Sequence, residues 1–464
     1  MYLLVCKAEG EIIIVDDGST DRTGEIADEY AKEYPDIVKV IHKENGGHGS
    51  GVNAGLEAAT GTYFKVVDSD DWLDEESLKE LLSELREWEW QEKEVDLVPI
   101  NEHKRSLLTA PGDQETFLPV IALYGPNGCG KSSVLEALWG LCRFMDKDCS
   151  LILSSSRSSC RLDPEAAKKP ISFDLLFRNG SFLFRYQLQI LKGDIKEEHM
   201  FYGKPGTEDA GVLFSRTGND IHLGTAAGGL VLTGVPSAAP LLPILSGRSG
   251  APCIQAAAGW FSQADFFRSN RTNDVPLLPE KEEKKGRLCR LLQNMDIDIL
   301  DYSYRKESGF SQSSLFLTHG RPGHPTFAVS YEEESEGIRK LLCLLPPVLK
   351  SLDCGGLLLA DDLDQALHPH LLRYLISLYK NREKNPHNAQ LVFTAHNTAI
   401  LTPGVMRRDE IYLCCRPEGK DAVLYPLSSY KKENGLIPRN DEAYGKQYLE
   451  GRYGAAPKLT EADA

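Results

Sequence analysis

Short unbroken apolar runs, each closing on a polar or glycine-rich turn, alternate with stretches of helical period along most of this chain. Glu11-Ile-Ile-Ile-Val-Asp16-Asp17 reads as a buried strand ending in two carboxylates. Val38-Lys-Val-Ile41 reads as a second strand, and Tyr63-Phe-Lys-Val-Val67 as a third that runs into Asp68-Ser-Asp70-Asp71-Trp72. Runs that are apolar on both faces and only a few residues long belong to parallel sheets covered by helices. Between them, Gly18-Ser-Thr-Asp21 turns and caps a helix to about Glu33. Asn45-Gly-Gly-His48-Gly-Ser-Gly51 is expected as a flexible loop before a helix through Asn53 to Ala59. Later runs repeat the pattern at Val120-Ile-Ala-Leu-Tyr124, Gly356-Leu-Leu-Leu-Ala360 and Gln390-Leu-Val-Phe-Thr394. Leu135, Leu138 and Cys142 recur at i, i+3, i+7, which predicts a helix after Tyr124. A second apolar helix opens near Glu334 and reaches Leu352, and a third lies near His370–Tyr379. Ile171–Phe177 and Phe182–Ile190 alternate instead, around the hairpin signal Asn179-Gly180. The middle reads less clearly: Gly224–Gly234 is expected as loop, and Glu280–Asn294 as a charged helix with one solvated face. Strand–helix alternation predicts an α/β fold with ligands at the carboxyl ends of the strands.

Charge divides the chain in two. Residues 1–100 hold 25 acidic and 9 basic residues, which accounts for the whole net charge of −16, and the rest holds 43 of each. Two unlike parts are therefore expected, and bulk charge gives no argument for nucleic-acid binding. The 464-residue length allows two or three domains, and 41% apolar with 26% charged content is that of a soluble globular protein. Eleven cysteines without a C-x-x-C pair point to a reducing cytoplasm and no structural zinc. The apolar run after Met1 is too short for a signal peptide and no run spans a bilayer, so a cytoplasmic location without a membrane span is expected. No sustained heptads and no internal repeat are present.

The chemistry centres on Gly125-Pro-Asn-Gly-Cys-Gly-Lys131-Ser132, which fits G-x-x-x-x-G-K-[ST] with a strand before it and a helix after it. Gly125, Gly128 and Gly130 let the backbone wrap phosphate and turn its N–H groups inward. Lys131 supplies a point charge for the β- and γ-phosphates and Ser132 a hydroxyl for Mg²⁺, with Asn127 and Ser133 completing the expected ATP-binding set. A chance glycine-rich turn is the bland alternative, and the flanks speak against it. Downstream, a strand ends in Asp361-Asp362 and the next strand ends in His396. Read alone, His396 could be a satisfied core histidine, His368 before Pro369 a helix-start residue, and Cys129 a small tolerated residue without redox role.

Two resemblances follow from these residues. Ile-Val-Asp-Asp-Gly-Ser-Thr-Asp, then Asn-Gly-Gly-His-Gly, then Val-Val-Asp-Ser-Asp-Asp-Trp-Leu over about residues 10–100 resembles the nucleotide-sugar half of family-two inverting glycosyltransferases. That likeness implies a GT-A-like doubly wound domain in which Asp17 contacts the nucleoside, while Asp68 and Asp70 hold Mg²⁺ or Mn²⁺ on the diphosphate. The family's opening strand and its acceptor half are not recognisable, so the domain is expected to be partial and not to transfer sugar. From about Leu118 to Pro457 the chain resembles AAA-type, ABC-like ATPases linked to bacterial abortive phage infection and restriction. The motifs that carry this are Glu334-Ser-Glu-Gly-Ile-Arg-Lys-Leu341, Leu357-Leu-Leu-Ala-Asp-Asp-Leu-Asp-Gln-Ala-Leu-His-Pro369, Gln390-Leu-Val-Phe-Thr-Ala-His-Asn-Thr398 and Tyr448-Leu-Glu-Gly-Arg-Tyr453. It implies a P-loop head using ATP and Mg²⁺, with Ser132 and Asp361 on the metal. Asp362 stands where the family has a catalytic glutamate, and His396 is the γ-phosphate sensor. Ser335 and Gly337 would close on the ATP of a second head in an ATP-dependent homodimer, and a nuclease or toxin effector would be the partner. The expected organisation is a partial glycosyltransferase domain at 1–102, a junction at 103–117, the ATPase at 118–457 and a tail at 458–464. A nucleotide-sugar glycosyltransferase, or a fusion of two incomplete domains, are the rival readings.

Overall fold

A computed structural model describes residues 12–35, 37–59, 107–109, 116–145, 168–205, 210–269, 275–306, 313–321, 323–365, 367–416, 422–431, 437–439 and 441–456. The strands expected at 63–67 and 95–98, Asp68, Asp70, most of the 103–117 junction and the 458–464 tail lie outside these residues. The chain divides into two compact units, Met1–Glu92 and Lys93–Ala464.

The described part of the first unit is β1 (Ile12–Asp17), α1 (Thr23–Glu33), β2 (Val38–Lys43) and α2 (His48–Ala58). The two strands run parallel, with Ile12 opposite Val38. Alternation sends Ile13 and Val15 to one face, against Ala54 and Ala58, and Ile14 to the other, against Ala27. One boundary corrects the sequence reading. Helix α2 begins at His48, not near Asn53, so half of the expected loop is its first turn. Gly47, at φ +81°, reverses the chain, and its carbonyl then accepts from the N–H groups of Ser50 and Gly51 at 2.9 and 3.2 Å. Packing of the small residues Ala54 and Ala58 on β1 outweighs glycine's low helix propensity of about 1 kcal/mol per residue.

The second unit opens with the short strands β3 (Leu108–Thr109) and β4 (Thr116–Phe117), then β5 (Val120–Tyr124) and α3 (Lys131–Phe144). A meander follows through β6 (Ile171–Asn179), β7 (Phe182–Leu191), β8 (Asp194–Gly203), β9 (Ala210–Thr217) and β10 (Asp220–Leu223), each strand antiparallel to the next. The Asn179-Gly180 turn is where the hairpin signal predicts it, with Gly180 at φ +59°. Helices α4 (Leu241–Ser246) and α5 (Pro252–Gln263) lead to β11 (Asp265–Arg268). Helix α6 (Glu282–Asn294) buries Leu288, Cys289, Leu291 and Leu292 and leaves its charged face outward, as its pattern predicts. A three-stranded antiparallel sheet then forms from β12 (Ile299–Lys306), β13 (Ser313–His319) and β14 (Phe327–Ser330). The chain continues through α7 (Glu336–Cys354), β15 (Leu357–Asp361), α8 (Pro369–Lys380), β16 (Gln390–Thr394), β17 (Ile411–Cys415), β18 (Val423–Pro426) and α9 (Tyr444–Leu449).

Six of these strands make the central sheet in the order β11-β15-β16-β5-β17-β18, parallel except at β18. Every residue of β5 is buried. Val120, Ala122 and Tyr124 pack with the core of α7 and α8, while Ile121 and Leu123 pack with α3, α5 and the meander. Strand β5 thus lies between β16 and β17, which arrive later in the chain from opposite sides, and a switch point of this kind is where α/β sheets bind ligands, at the carboxyl ends of the strands.

Candidate functional site

The turn leaving β5 wraps tightly because its glycines allow it. A Cβ on Gly125 (φ +152°) would stand 2.0 Å from the Cys414 carbonyl oxygen on β17, so no side chain fits there. Gly128 and Gly130 have φ of +76° and +104°, and the latter starts α3. Asn127, Gly128 and Ser133 are exposed and Ser132 is half-buried. Lys131 is buried, and its ammonium donates to the carbonyls of Gly125 and Pro126 at 2.9 and 3.0 Å. The first turn of the 14-residue helix α3 has neither an acidic residue nor a side-chain cap, the condition in which a helix start can take an anion.

Two strands away, Asp361 ends β15. The Thr394 hydroxyl donates to its Oδ1 at 2.7 Å and accepts from the Asp362 N–H at 2.7 Å. Asp362 itself has φ +50°. Its carboxylate is 3.9 Å from His396 Nε2, beyond hydrogen-bond length, and both side chains are close to half exposed. Asp364 accepts from the backbone N–H groups of His396 and Asn397 at 2.8 and 2.5 Å. Tyr124, the residue before the loop, donates to the Asn397 carbonyl at 2.8 Å. The fold therefore joins Asp361, Asp362 and His396 into one cluster and ties it to the end of β5. Ser335, exposed, caps α7 by accepting from the Ile338 N–H at 3.3 Å, and Gly337 lies in that first turn. Lys340, buried one turn further on, donates to the Gln365 carbonyl at 3.3 Å, which links α7 to the segment after the acidic pair. His368 is the N-cap of α8, its ring accepting from the His370 N–H at 3.2 Å, and is a structural residue.

In the first unit Asp17 accepts from Lys43 and, at 3.0 Å, from the Gly46 N–H, and Lys43 foremost holds its carboxyl below the usual range. Asp16 accepts from Ser19 and His42, each at 2.9 Å, and these bonds, Ser19 first, pull it down to about 2. The His42 ring also meets Asp28 at 3.0 Å, and Asp16, then Asp28, raise its pKa.

Residues 120–229 and 255–402, more than half of the chain, match the family model described as "AAA domain, putative AbiEii toxin, Type IV TA system". The chain belongs to this AAA-domain family. The match takes in β5, the loop, β15, β16 and His396. Residues 5–89 match the glycosyl transferase family 2 model. Curated relatives lie on that side: the Bacillus subtilis (strain 168) "Uncharacterized glycosyltransferase EpsJ" is 39% identical over 109 residues, 24% of this chain and 28% of the relative. "Glycosyltransferase GlyG" of Streptococcus pneumoniae serotype 4 (strain ATCC BAA-334 / TIGR4) is 43% identical over 89 residues, 19% of this chain and 28% of the relative. The chain thus spans under a third of the length of these relatives.

An AAA domain handles nucleotide with Mg²⁺, and the donor set here fits both. Positive-φ glycines, a lysine on loop carbonyls and a bare helix start suit phosphate, and the Ser132 hydroxyl and Asp361 carboxylate are hard oxygen ligands. Among the described residues no cluster of three or more His, Cys, Asp or Glu side chains forms a metal cage. None of the described helices is long and apolar enough to cross a membrane. Sequence reasoning missed Thr394 and Asp364. Both stand beside motif residues, and Asp364 has the residue type that accepts consecutive backbone N–H groups at a turn, but the strand pairing that makes them partners is not local.

Proposed function

We propose that this chain is an ATP-binding protein with an ABC-like P-loop head at 118–457 that hydrolyses ATP slowly and dimerises on it, acting in bacterial phage defence with a nuclease or toxin effector. The carrying observation is that the phosphate loop, the Asp361–Thr394–Asp362 chain and His396 lie at the carboxyl ends of β5, β15 and β16 of one sheet. In this reading Lys131 leaves the carbonyls of Gly125 and Pro126 for the β- and γ-phosphates. Gly125, Asn127, Gly128, Gly130 and Ser133 line the phosphates, and Ser132 and Asp361 hold the metal. Bound Mg-ATP supplies the phosphoryl group and a cation that offsets its charge. Asp362 accepts the proton of the attacking water, and His396 reports the γ-phosphate. Lys131→Ala removes the cradle's ammonium and is expected to weaken ATP binding more than about tenfold, roughly 1.4 kcal/mol. Calorimetry showing unchanged affinity overturns the proposal.

Sugar transfer is the second reading, favoured by the match over residues 5–89. We rank it lower because the glycosyl transferase match stops at residue 89 and the AAA-domain match takes over from residue 120, where an acceptor half would follow. No turnover of a UDP- and GDP-sugar panel with Mn²⁺ or Mg²⁺ is expected. Turnover abolished by Asp70→Ala would reverse the ranking.

A further inference from the structure

Cys129 lies inside the phosphate loop and Cys414 on the neighbouring strand β17, 285 positions apart in sequence. Both are buried thiols, at 2% and 0% exposure. Their contact is close on two sides. The Cys414 thiol donates to the Cys129 carbonyl oxygen at 2.9 Å, so strand β17 touches the phosphate loop at this residue. Gly125 sits between them: a Cβ there would meet the Cys414 carbonyl oxygen at 2.0 Å and the Cys129 sulfur at 2.9 Å. The neighbouring Cys414 side chain foremost, and then the nearby Lys131 charge, bring the Cys129 thiol down to about 6 despite burial, a range in which the nucleophilic thiolate is abundant at neutral pH. Cys129 is flanked by exposed Gly128 and half-buried Gly130, so a small oxidant needs only a minor loop movement to reach it.

We propose that Cys129 and Cys414 form an oxidisable dithiol whose disulfide closes the phosphate loop to nucleotide. A hydroperoxide is the oxidant. The Cys129 thiolate attacks the peroxide oxygen, the O–O bond breaks, and hydroxide leaves and takes a proton as water. The Cys414 sulfur then attacks the Cys129 sulfenic acid, forms the S–S bond and releases a second water, so two thiols and one hydrogen peroxide give one disulfide and two waters. A dithiol reductant reverses it. The covalent tie pins the loop to β17 in the form in which Lys131 bonds the Gly125 and Pro126 carbonyls, whereas nucleotide needs that ammonium on phosphate. This rests on the proposed ATP site, but the cross-link itself is read without ATP.

The experiment treats the reduced full-length chain with hydrogen peroxide, digests one half with trypsin without reductant and measures ATP affinity on the other. The expected product joins the tryptic peptides 106–131 and 409–420, with Cys415→Ser excluding the adjacent thiol. ATP affinity should fall by more than about tenfold on oxidation and return with dithiothreitol, and Cys414→Ala should bind ATP equally before and after peroxide. Cys129→Ser, which also cannot cross-link, guards against misfolding of Cys414→Ala. Absence of the joined peptide in the wild type overturns the dithiol. Its presence with unchanged ATP affinity overturns the closure. If the reduced chain binds no ATP, the function reading falls, and the joined peptide alone decides the modification site.

Discussion

At Asp362 the backbone constrains the side chain the site can carry. Its φ of +50° lies in the left-handed region, where aspartate is tolerated far better than longer residues. A general base must come within roughly 2.6–3.2 Å of the attacking water, and aspartate is one methylene shorter than the glutamate that the resembled ATPases place here. Misplacement by an ångström costs on the order of 100-fold in rate. Glutamate at this φ adds about 1 kcal/mol of strain, but ground and transition states share it, so it lowers stability and not turnover. Asp362→Glu is therefore expected to raise kcat at least about tenfold, with KM within about twofold and a lower Tm. Steady-state kinetics giving an equal or smaller kcat would show that aspartate is already well placed. The positions of Lys131 and Ser132 at the start of α3 and of Asp361 at the end of β15 were legible in the sequence because a local motif and an unbroken apolar run mark them. Thr394 and Asp364 were not, because their hydrogen bonds join segments about thirty residues apart.

Elements with one clean period were legible and those with a broken one were not. Strands β5, β15 and β16 and helices α3, α7 and α8 fall where their apolar runs put them. Strands β8 to β10 were hidden because β8 carries Asp194, Lys196, Glu197 and Glu198 and a bulge beside Ile190 shifts its phase, so that Ile195 and Glu198 are both buried. Glu198 accepts from the Leu241 N–H at 3.0 Å and from the Tyr186 hydroxyl at 3.0 Å, fastening α4 to the meander. Its cross-strand partner Arg216 is equally buried, yet donates to the carbonyls of Gly218, Ala239 and Pro236. Burial pushes the Glu198 carboxyl up to about 7, from 4.5. Between those values the native state binds more protons than the unfolded one, so this contribution is full below pH 4.5 and declines as pH rises to about 7. The urea midpoint of the wild type should fall relative to that of Glu198→Gln across this window. Parallel curves for the two proteins would show that Glu198 is ionised throughout.

For the whole molecule, the question is what ATP changes beyond its own site. The proposed interface is incomplete without nucleotide, so binding and association are linked, and ATP should raise dimer affinity by as much as dimerisation raises ATP affinity. Ser335 is where this can be tested, because it is exposed at the start of a 19-residue helix and its oxygen already caps Ile338. In the proposed dimer the N–H groups that start α7 would meet a phosphate from a second copy, a contact that favours negative charge by about 0.3–1 kcal/mol. Substitutions can separate capping from charge. Asparagine and aspartate cap a helix about as well as serine, so both variants should keep α7, but only aspartate sets a carboxylate against the incoming phosphate. Sedimentation with ATP and Mg²⁺, in an Asp362→Asn background that slows hydrolysis, should show a dimer. Adding Ser335→Asn should preserve it and adding Ser335→Asp should abolish it, with far-ultraviolet circular dichroism unchanged in both. A monomer under every nucleotide condition, or a dimer indifferent to Ser335→Asp, would remove Ser335 from the interface and the two-head mechanism with it.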